Sequence, residues 1–196
     1  MPKPILTFDE ASHSYALDGR PVPGVTSVIG SILSPVYNKA NDLMRRAAAF
    51  GSAVHRACEL DDRGTLDMET LDPALLPYLE GWRKFSQDNG GEILHSETKI
   101  CSYKFRFAGT LDRVLFDGPT LLDIKTSTTI GPEVGVQTAA YAIAAQESLG
   151  IKIKRRLCVQ LTPYGYKLYQ LTDPSDQQIF IAALSCYNWK EKHGKS

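Results

Sequence analysis

The chain has 196 residues, with 22 lysines and arginines balanced by 22 aspartates and glutamates and with 43% hydrophobic residues. That length buries a substantial core, the composition is ordinary for a globular protein, and zero formal net charge fits poorly with a protein that coats long duplexes. No stretch approaches the ~20 apolar residues of a membrane span, and Met1-Pro2-Lys3-Pro4-Ile5-Leu6 has no signal-peptide pattern, so the expected setting is cytoplasmic, with no membrane partner.

Phe8 to Val22 reads as a small hairpin with Asp18-Gly19 at its turn. Val25 to Leu33 reads as a short helix, capped by Thr26 or a neighbour and ended before Pro35. From Tyr37 to about Leu60 the chain is rich in Ala, Leu, Arg and Lys, all good helix formers. Within this helix Gly51 is four residues before His55, and Glu59 follows four residues later on the same face. A glycine inside a helix costs about 1 kcal/mol relative to Ala, so Gly51 predicts a close approach of another segment. A loop over 65–73 leads to an amphipathic helix, Ala74 to Asn89, closed by Gly90-Gly91.

Strands are expected at Glu97 to Cys101, Thr110 to Phe116 and Leu121 to Lys125, the last two joined through Asp117-Gly118-Pro119. Side chains alternate along a strand, so Asp123 and Lys125 share a face while Leu122 and Ile124 enter a core. A hairpin through the turn brings Asp112 beside Asp123. Two carboxylates that close repel unless a cation sits between them, and hard oxygen ligands suit Mg²⁺ or Mn²⁺. Taken alone, an Asp-x-Lys on a strand is better read as a solvated ion pair. A helix follows, Glu133 to Leu149, with Gln137 and Tyr141 four apart on one face. Arg113 adjoins Asp112, and Lys152, Lys154, Arg155 and Arg156 form the densest basic run; as a strand that run is a solvated outer face or a phosphate track. Two strands around Pro163-Tyr164-Gly165 and a last helix from Asp173-Pro174 to about Lys190 complete the chain. Tyr15, Tyr37 and Tyr164 are packing residues or base-stacking ones. The architecture is α/β, a mixed central sheet flanked by helices, in one domain over 1–196. Residues 1–35 form the hairpin and short helix, and 36–190 the core.

Helix with His, strand, strand with Asp, strand with Asp-x-Lys, then helix with Gln and Tyr is a specific order. Gly51 and His55, Gly109 and Asp112, Asp123-Ile124-Lys125-Thr126-Ser127, and Gln137 with Tyr141 together resemble the PD-(D/E)XK nuclease superfamily. The likeness is to the RecB-like branch with its phage and mitochondrial exonucleases, and it spans nearly the whole chain. The resemblance implies the restriction-endonuclease-like αβββαβ core. It implies metal ligation by His55, Asp112, Asp123 and the Ile124 carbonyl, with Asp112, Asp123 and Lys125 as the catalytic set. Gln137, Tyr141, Thr126 and Arg56 would contact substrate, and Glu59 and Glu97 are read as supporting residues rather than direct ligands. Mg²⁺ or Mn²⁺ would be the cofactor, and DNA, single-stranded or at duplex ends, the partner. A phage recombination or single-strand-binding protein would accompany it in a host cytoplasm. Cys58, Cys101, Cys158 and Cys186 contain no Cys-x-x-Cys pair, so neither an iron–sulfur cluster nor zinc is expected, only buried free thiols.

Three functions compete: an exodeoxyribonuclease, a structure-specific endonuclease, and a non-catalytic nucleic-acid-binding module on the same fold. The complete Asp, Asp, Lys and His set favours an enzyme.

Overall fold

The computed structural model describes residues 3–33, 42–116 and 118–194. The expected helix start at Tyr37, together with Lys39 and Asp117, lies outside the described residues. The N-terminal region is a three-stranded antiparallel sheet, β1 (Leu6–Asp9), β2 (Ser14–Leu17) and β3 (Arg20–Val22). Asp18 and Gly19 join β2 to β3 with φ of 50° and 71°, the left-handed pair that a tight hairpin turn needs. The sequence suggested one hairpin; β1 adds a third strand by pairing with β2 and packing Leu6 and Phe8 against the cluster of Tyr15, Leu17, Val22, Cys101 and Ala108.

Helix α1 (Val25–Ile32) follows directly. Its cap is Gly24, which makes no side-chain cap, rather than the expected Thr26. Gly24 forms a parallel bridge to Ala108, so pairing with the main sheet fixes where the helix begins.

The remaining helices are α2 (Asp42–Asp62), α3 (Leu76–Asn89), α4 (Glu133–Ser148) and α5 (Asp176–His193). A 3₁₀ turn, Pro73–Leu75, leads into α3. The strands β4 (Ile93–Ser102), β5 (Phe107–Leu115), β6 (Thr120–Lys125), β7 (Arg155–Thr162) and β8 (Gly165–Gln170) form one mixed sheet in that spatial order. Pairing is antiparallel except between β6 and β7, which are parallel and linked through α4. This linkage is the usual route between parallel neighbours, which need a crossover rather than a tight turn.

Two apolar clusters lie on the two faces of the sheet. Leu121 belongs to one, with Val28, Ala140 and Phe180 of α1, α4 and α5. Leu122 and Ile124 belong to the other, with Val54, Trp82 and Phe85 of α2 and α3. The two-residue alternation expected for β6 is therefore met, and Asp123 and Lys125 face away from the α2–α3 core.

Three sequence readings are corrected here. Strand β7 begins at Arg155, so Lys152 and Lys154 precede it and do not share a strand face with Arg156. Arg156 faces inward, 2.9 Å from the buried Asp176 and donating to the Gly135 carbonyl at 2.7 Å. Cys186 is exposed, on the outer side of α5, while Cys58, Cys101 and Cys158 are buried. No described helix is long and apolar enough to cross a membrane.

Candidate metal and phosphate site

The β5–β6 ladder runs from Leu115↔Thr120 to Arg113↔Leu122. One step further, the Asp112 carboxylate accepts the Ile124 N–H at 2.6 Å. A side chain thus takes over where the two strands part, and the gap between them opens a site at the carboxyl end of β6. Helix α2 closes one side: His55 Nε2 lies 2.9 Å from the Ile124 carbonyl. The other imidazole nitrogen, Nδ1, is 3.5 Å from Asp112 Oδ1 and 3.8 Å from Glu97 Oε1. His55, Glu97 and Asp112 offer ligand atoms all within 4.8 Å of one another and could hold a metal ion.

The other half of the site stands toward α4. Lys125 Nζ is 2.7 Å from Asp123 Oδ2 and donates to Gln137 Oε1 at 3.2 Å. Gln137 Nε2 in turn donates to the Tyr141 hydroxyl at 3.1 Å. Asp123 is buried, and neither of its oxygens receives a well-directed hydrogen bond. A buried carboxylate left so is costly.

Glycines make the closeness possible. A Cβ on Gly51 would stand 3.2 Å from Thr126 Oγ1, which is the close approach its presence in α2 predicted. A Cβ on Gly109 would stand 2.6 Å from Tyr141 Cε1. Gly109→Ala is therefore expected to push the buried Tyr141 ring off its seat. Overpacking of this kind costs about 1–3 kcal/mol, and denaturant titration should read that loss. The same variant should also loosen Lys125, because Tyr141 anchors Gln137 and Gln137 holds Lys125.

The charges crowd one another. Burial works against the His55 imidazolium, but the Asp112 and Glu97 carboxylates outweigh it and hold its pKa at about 9. Burial pushes Asp123 up to about 6, with Asp112 adding to the rise and Lys125 opposing it. Burial acts against the Lys125 ammonium, and the two aspartates more than offset it, so its pKa stands above the usual value.

Of the expected ligand and catalytic residues, His55, Asp112, Ile124 and Lys125 line one cleft, while Asp123 is buried behind it against Lys125 and lies outside the His55–Glu97–Asp112 group. Thr126, Gln137 and Tyr141 line the same cleft. Arg56 lies at its rim, 60% exposed and paired with Glu59 at 2.6 Å. Glu59 is buried and also bound by Arg63 at 2.6 Å, so its carboxylate is already neutralised. Glu97 stands differently from its sequence reading, at the heart of the His55–Asp112 group. It has φ of 44°, a left-handed backbone inside a strand that non-glycine residues seldom adopt, and such strain costs on the order of 1–3 kcal/mol. No pattern in the sequence marks that backbone state.

Arg113, counted in the sequence among the basic residues near the site, is fully buried. Its Nε donates to Asp62 at 2.7 Å, and its Nη1 to Glu97 at 2.9 Å and to the Asp112 carbonyl at 2.7 Å. It fixes the Glu97 carboxylate and is closed to substrate. Sequence reasoning also missed Phe8, His13 and Lys99, which form the N-terminal wall of the cleft.

No protein-family model matches the chain. A search of curated proteins likewise finds no match. Among solved structures, a crystal structure of a "putative exonuclease" from Eubacterium rectale is similar at a TM-score of 0.50 and 14% identity, over 76% of this chain and 68% of that one. The crystal structure of SSO0001 is similar at a TM-score of 0.38 and 15% identity, over 61% of this chain and 65% of that one. At such identities the likeness to the first is one of fold, and that to the second is too slight to build on.

Proposed function

We propose that this chain is a Mg²⁺- or Mn²⁺-dependent deoxyribonuclease of the RecB-like branch of the PD-(D/E)XK superfamily, acting on DNA ends as an exonuclease. The N-terminal sheet belongs to the same nuclease domain. Processing or recombination of phage DNA in a host cytoplasm is the setting that the resemblance suggests. The observation that carries the reading is the convergence of His55, Glu97 and Asp112 within 4.8 Å of one another, beside the buried Asp123 and its half-buried partner Lys125.

The donor set fits a hard divalent cation: carboxylates, a carbonyl and one imidazole. The raised His55 pKa is what carboxylates gathered around one point produce, and burial raises Asp123 with Asp112 adding to the rise. His55, Asp112, Asp123 and the Ile124 carbonyl would hold the ion, with Glu97 at the same centre. A bound divalent ion neutralises phosphate charge and lowers the pKa of a coordinated water. Lys125, fixed between Asp123 and Gln137, orients the attacking water and meets charge developing on the phosphate. Gln137 and Tyr141 set the position of that ammonium and present polar groups to the DNA strand, while Thr126 and Arg56 border its path.

The test uses end-labelled single-stranded, linear duplex and closed circular DNA with Mg²⁺, Mn²⁺ or EDTA. Ladders from linear substrates alone, abolished by EDTA, are the expected result. Nicking of closed circles would point to an endonuclease, and shifted but intact DNA to the binding module.

The same charges predict how stability depends on pH. The folded His55 pKa of about 9 exceeds its ordinary 6.5, so its stabilising contribution is complete below pH 6.5 and is lost as pH rises through about 9. The folded Asp123 pKa of about 6 exceeds 3.8, so the cost of ionising it grows as pH rises from 3.8 and is complete above about 6. Both effects run the same way. Melting temperatures in EDTA should fall from pH 5 to pH 9, each group removing roughly 3 kcal/mol of stability at most. Stabilisation by Mn²⁺ should grow over the same range. A metal effect that shrinks with rising pH would contradict the ligand assignment.

A further inference from the structure

We propose that the catalytic cleft continues into a second groove, forming one track for single-stranded DNA with a base-stacking aromatic platform at each end. This rests on the nuclease reading above and goes beyond it in naming the substrate as an unpaired strand. The cleft around His55 and Asp112 has a volume of about 690 Å³. That is the size of sites that enclose a small molecule, room for a nucleotide or two rather than a duplex. A neighbouring groove of about 370 Å³ shares Thr126 and Ser127 with it, so the two adjoin along that segment.

Phe8 and His13 stand at one end. Their rings meet edge to face, with centroids 5.1 Å apart, and Lys99 Nζ lies 5.3 Å from the Phe8 centroid. His13 is exposed and has φ of 49°. A histidine held left-handed at a turn, where glycine would sit without cost, is a backbone compromise that folding does not require.

Tyr164 stands at the other end, 98% exposed. Gln160 pairs with Lys125 across β6 and β7, and the turn bearing Tyr164 begins three residues beyond it, about 10 Å along the strand. The turn is rigid. Thr162 Oγ1 donates to the Gly165 carbonyl at 3.1 Å and accepts the Tyr164 N–H at 3.2 Å. The Gly165 backbone rests on Gly81 of α3, where a Cβ would come within 3.0 Å. The ring is thus held out on a braced tip, beside the exposed Lys167. Phe8 is itself partly buried against Tyr15, with centroids 4.8 Å apart, so the ring offered at that end is His13, with Lys99 near it. At the other end Tyr164 is offered beside Lys167. An aromatic ring with a lysine is the combination that binds an unpaired base and its phosphate. A chain with no net positive charge must draw more of its affinity from stacking than from phosphate neutralisation.

The test compares wild type with Tyr164→Ala, Tyr164→Trp and His13→Gly. Binding is read by fluorescence anisotropy of labelled oligo(dT) of about 12 nucleotides, within the range that one such groove covers, and of a duplex of equal length, with Ca²⁺ replacing Mg²⁺. Catalysis is read separately as Mn²⁺-dependent hydrolysis of bis(p-nitrophenyl) phosphate, a small ester whose site need not include Tyr164, which lines the other groove. Wild type should prefer the single strand. Tyr164→Ala and His13→Gly should each weaken its binding about 5- to 100-fold, while Tyr164→Trp retains it. Ester hydrolysis and melting temperature should be unchanged in Tyr164→Ala, and His13→Gly should melt no lower than wild type. Undiminished single-strand binding in both variants, or a wild-type preference for duplex, overturns the track. Wild-type protein that hydrolyses neither DNA nor the ester overturns the nuclease reading instead, and the binding arm still decides the track by itself.

Discussion

Asp123→Asn protein is expected to fold, to melt no lower than wild type in EDTA at pH 8, and to lose cleavage by at least 100- to 1,000-fold, the order of effect seen when one electrostatic group is removed from an active site. The two halves of this expectation have one cause. Asp123 is 1% exposed, lies beside Asp112 and Lys125, and has a pKa raised to about 6, so its ionised form is costly in the folded protein when EDTA withholds the metal. Asparagine keeps the shape and removes that cost. It also removes the charge that would help hold a cation and that anchors Lys125 at 2.7 Å. Lys125→Ala should lose activity to a similar extent. Asp112→Asn should do so while still accepting the Ile124 N–H through its amide oxygen, so its sheet edge stays closed. The measurements are initial rates on end-labelled DNA and thermal melts of the same preparations. A well-folded Asp123→Asn enzyme that cleaves at the wild-type rate would remove the basis of the proposed site.

Arg113→Met is expected to produce the largest loss of stability of any single change near the site. The guanidinium is 0% exposed and lies 5.6 Å over the Trp82 ring. It serves Asp62 of α2 and Glu97 of β4 at once, and Trp82 Nε1 of α3 binds the same Asp62 at 2.7 Å. Methionine fills a similar volume but leaves two carboxylates without their cation. Breaking a buried pair by removing one partner costs about 3–5 kcal/mol. In a chain of 196 residues, that is a drop in melting temperature of roughly 6–20 °C, at about 2–4 °C per kcal/mol. Urea titration followed by circular dichroism reads it directly. A change of less than about 1 kcal/mol would mean that water already shields these carboxylates, contrary to the burial observed. Activity should fall as well, because Glu97 would lose the partner that fixes it next to His55.

Local signals carried much of this molecule. The period-two pattern of 121–125 placed Asp123 and Lys125 on one face and Leu122 and Ile124 on the other, because a strand permits no other arrangement. The glycine inside α2 announced a close neighbour, and Thr126 is that neighbour. Helix and strand boundaries mostly fell within a few residues of those observed, since turn residues and apolar periods are properties of short segments. The run 152–156 misled for the same reason. Its composition reads as a charged strand face, yet Arg156 is drawn inward by Asp176, which is twenty residues away along the chain.

Chain chemistry alone was enough to select an α/β architecture and to set Asp112 beside Asp123 and Lys125, because turn and strand patterns are local, while the family resemblance carried by the short motifs added His55 to them. Folding in three dimensions was needed to bring Glu97 next to His55, to bury Arg113 between two acids, and to set Phe8 and Tyr164 in two adjoining grooves. Those relations depend on strand order, on a left-handed residue within a strand and on pairing between distant segments, and none of these leaves a periodic trace among neighbouring residues.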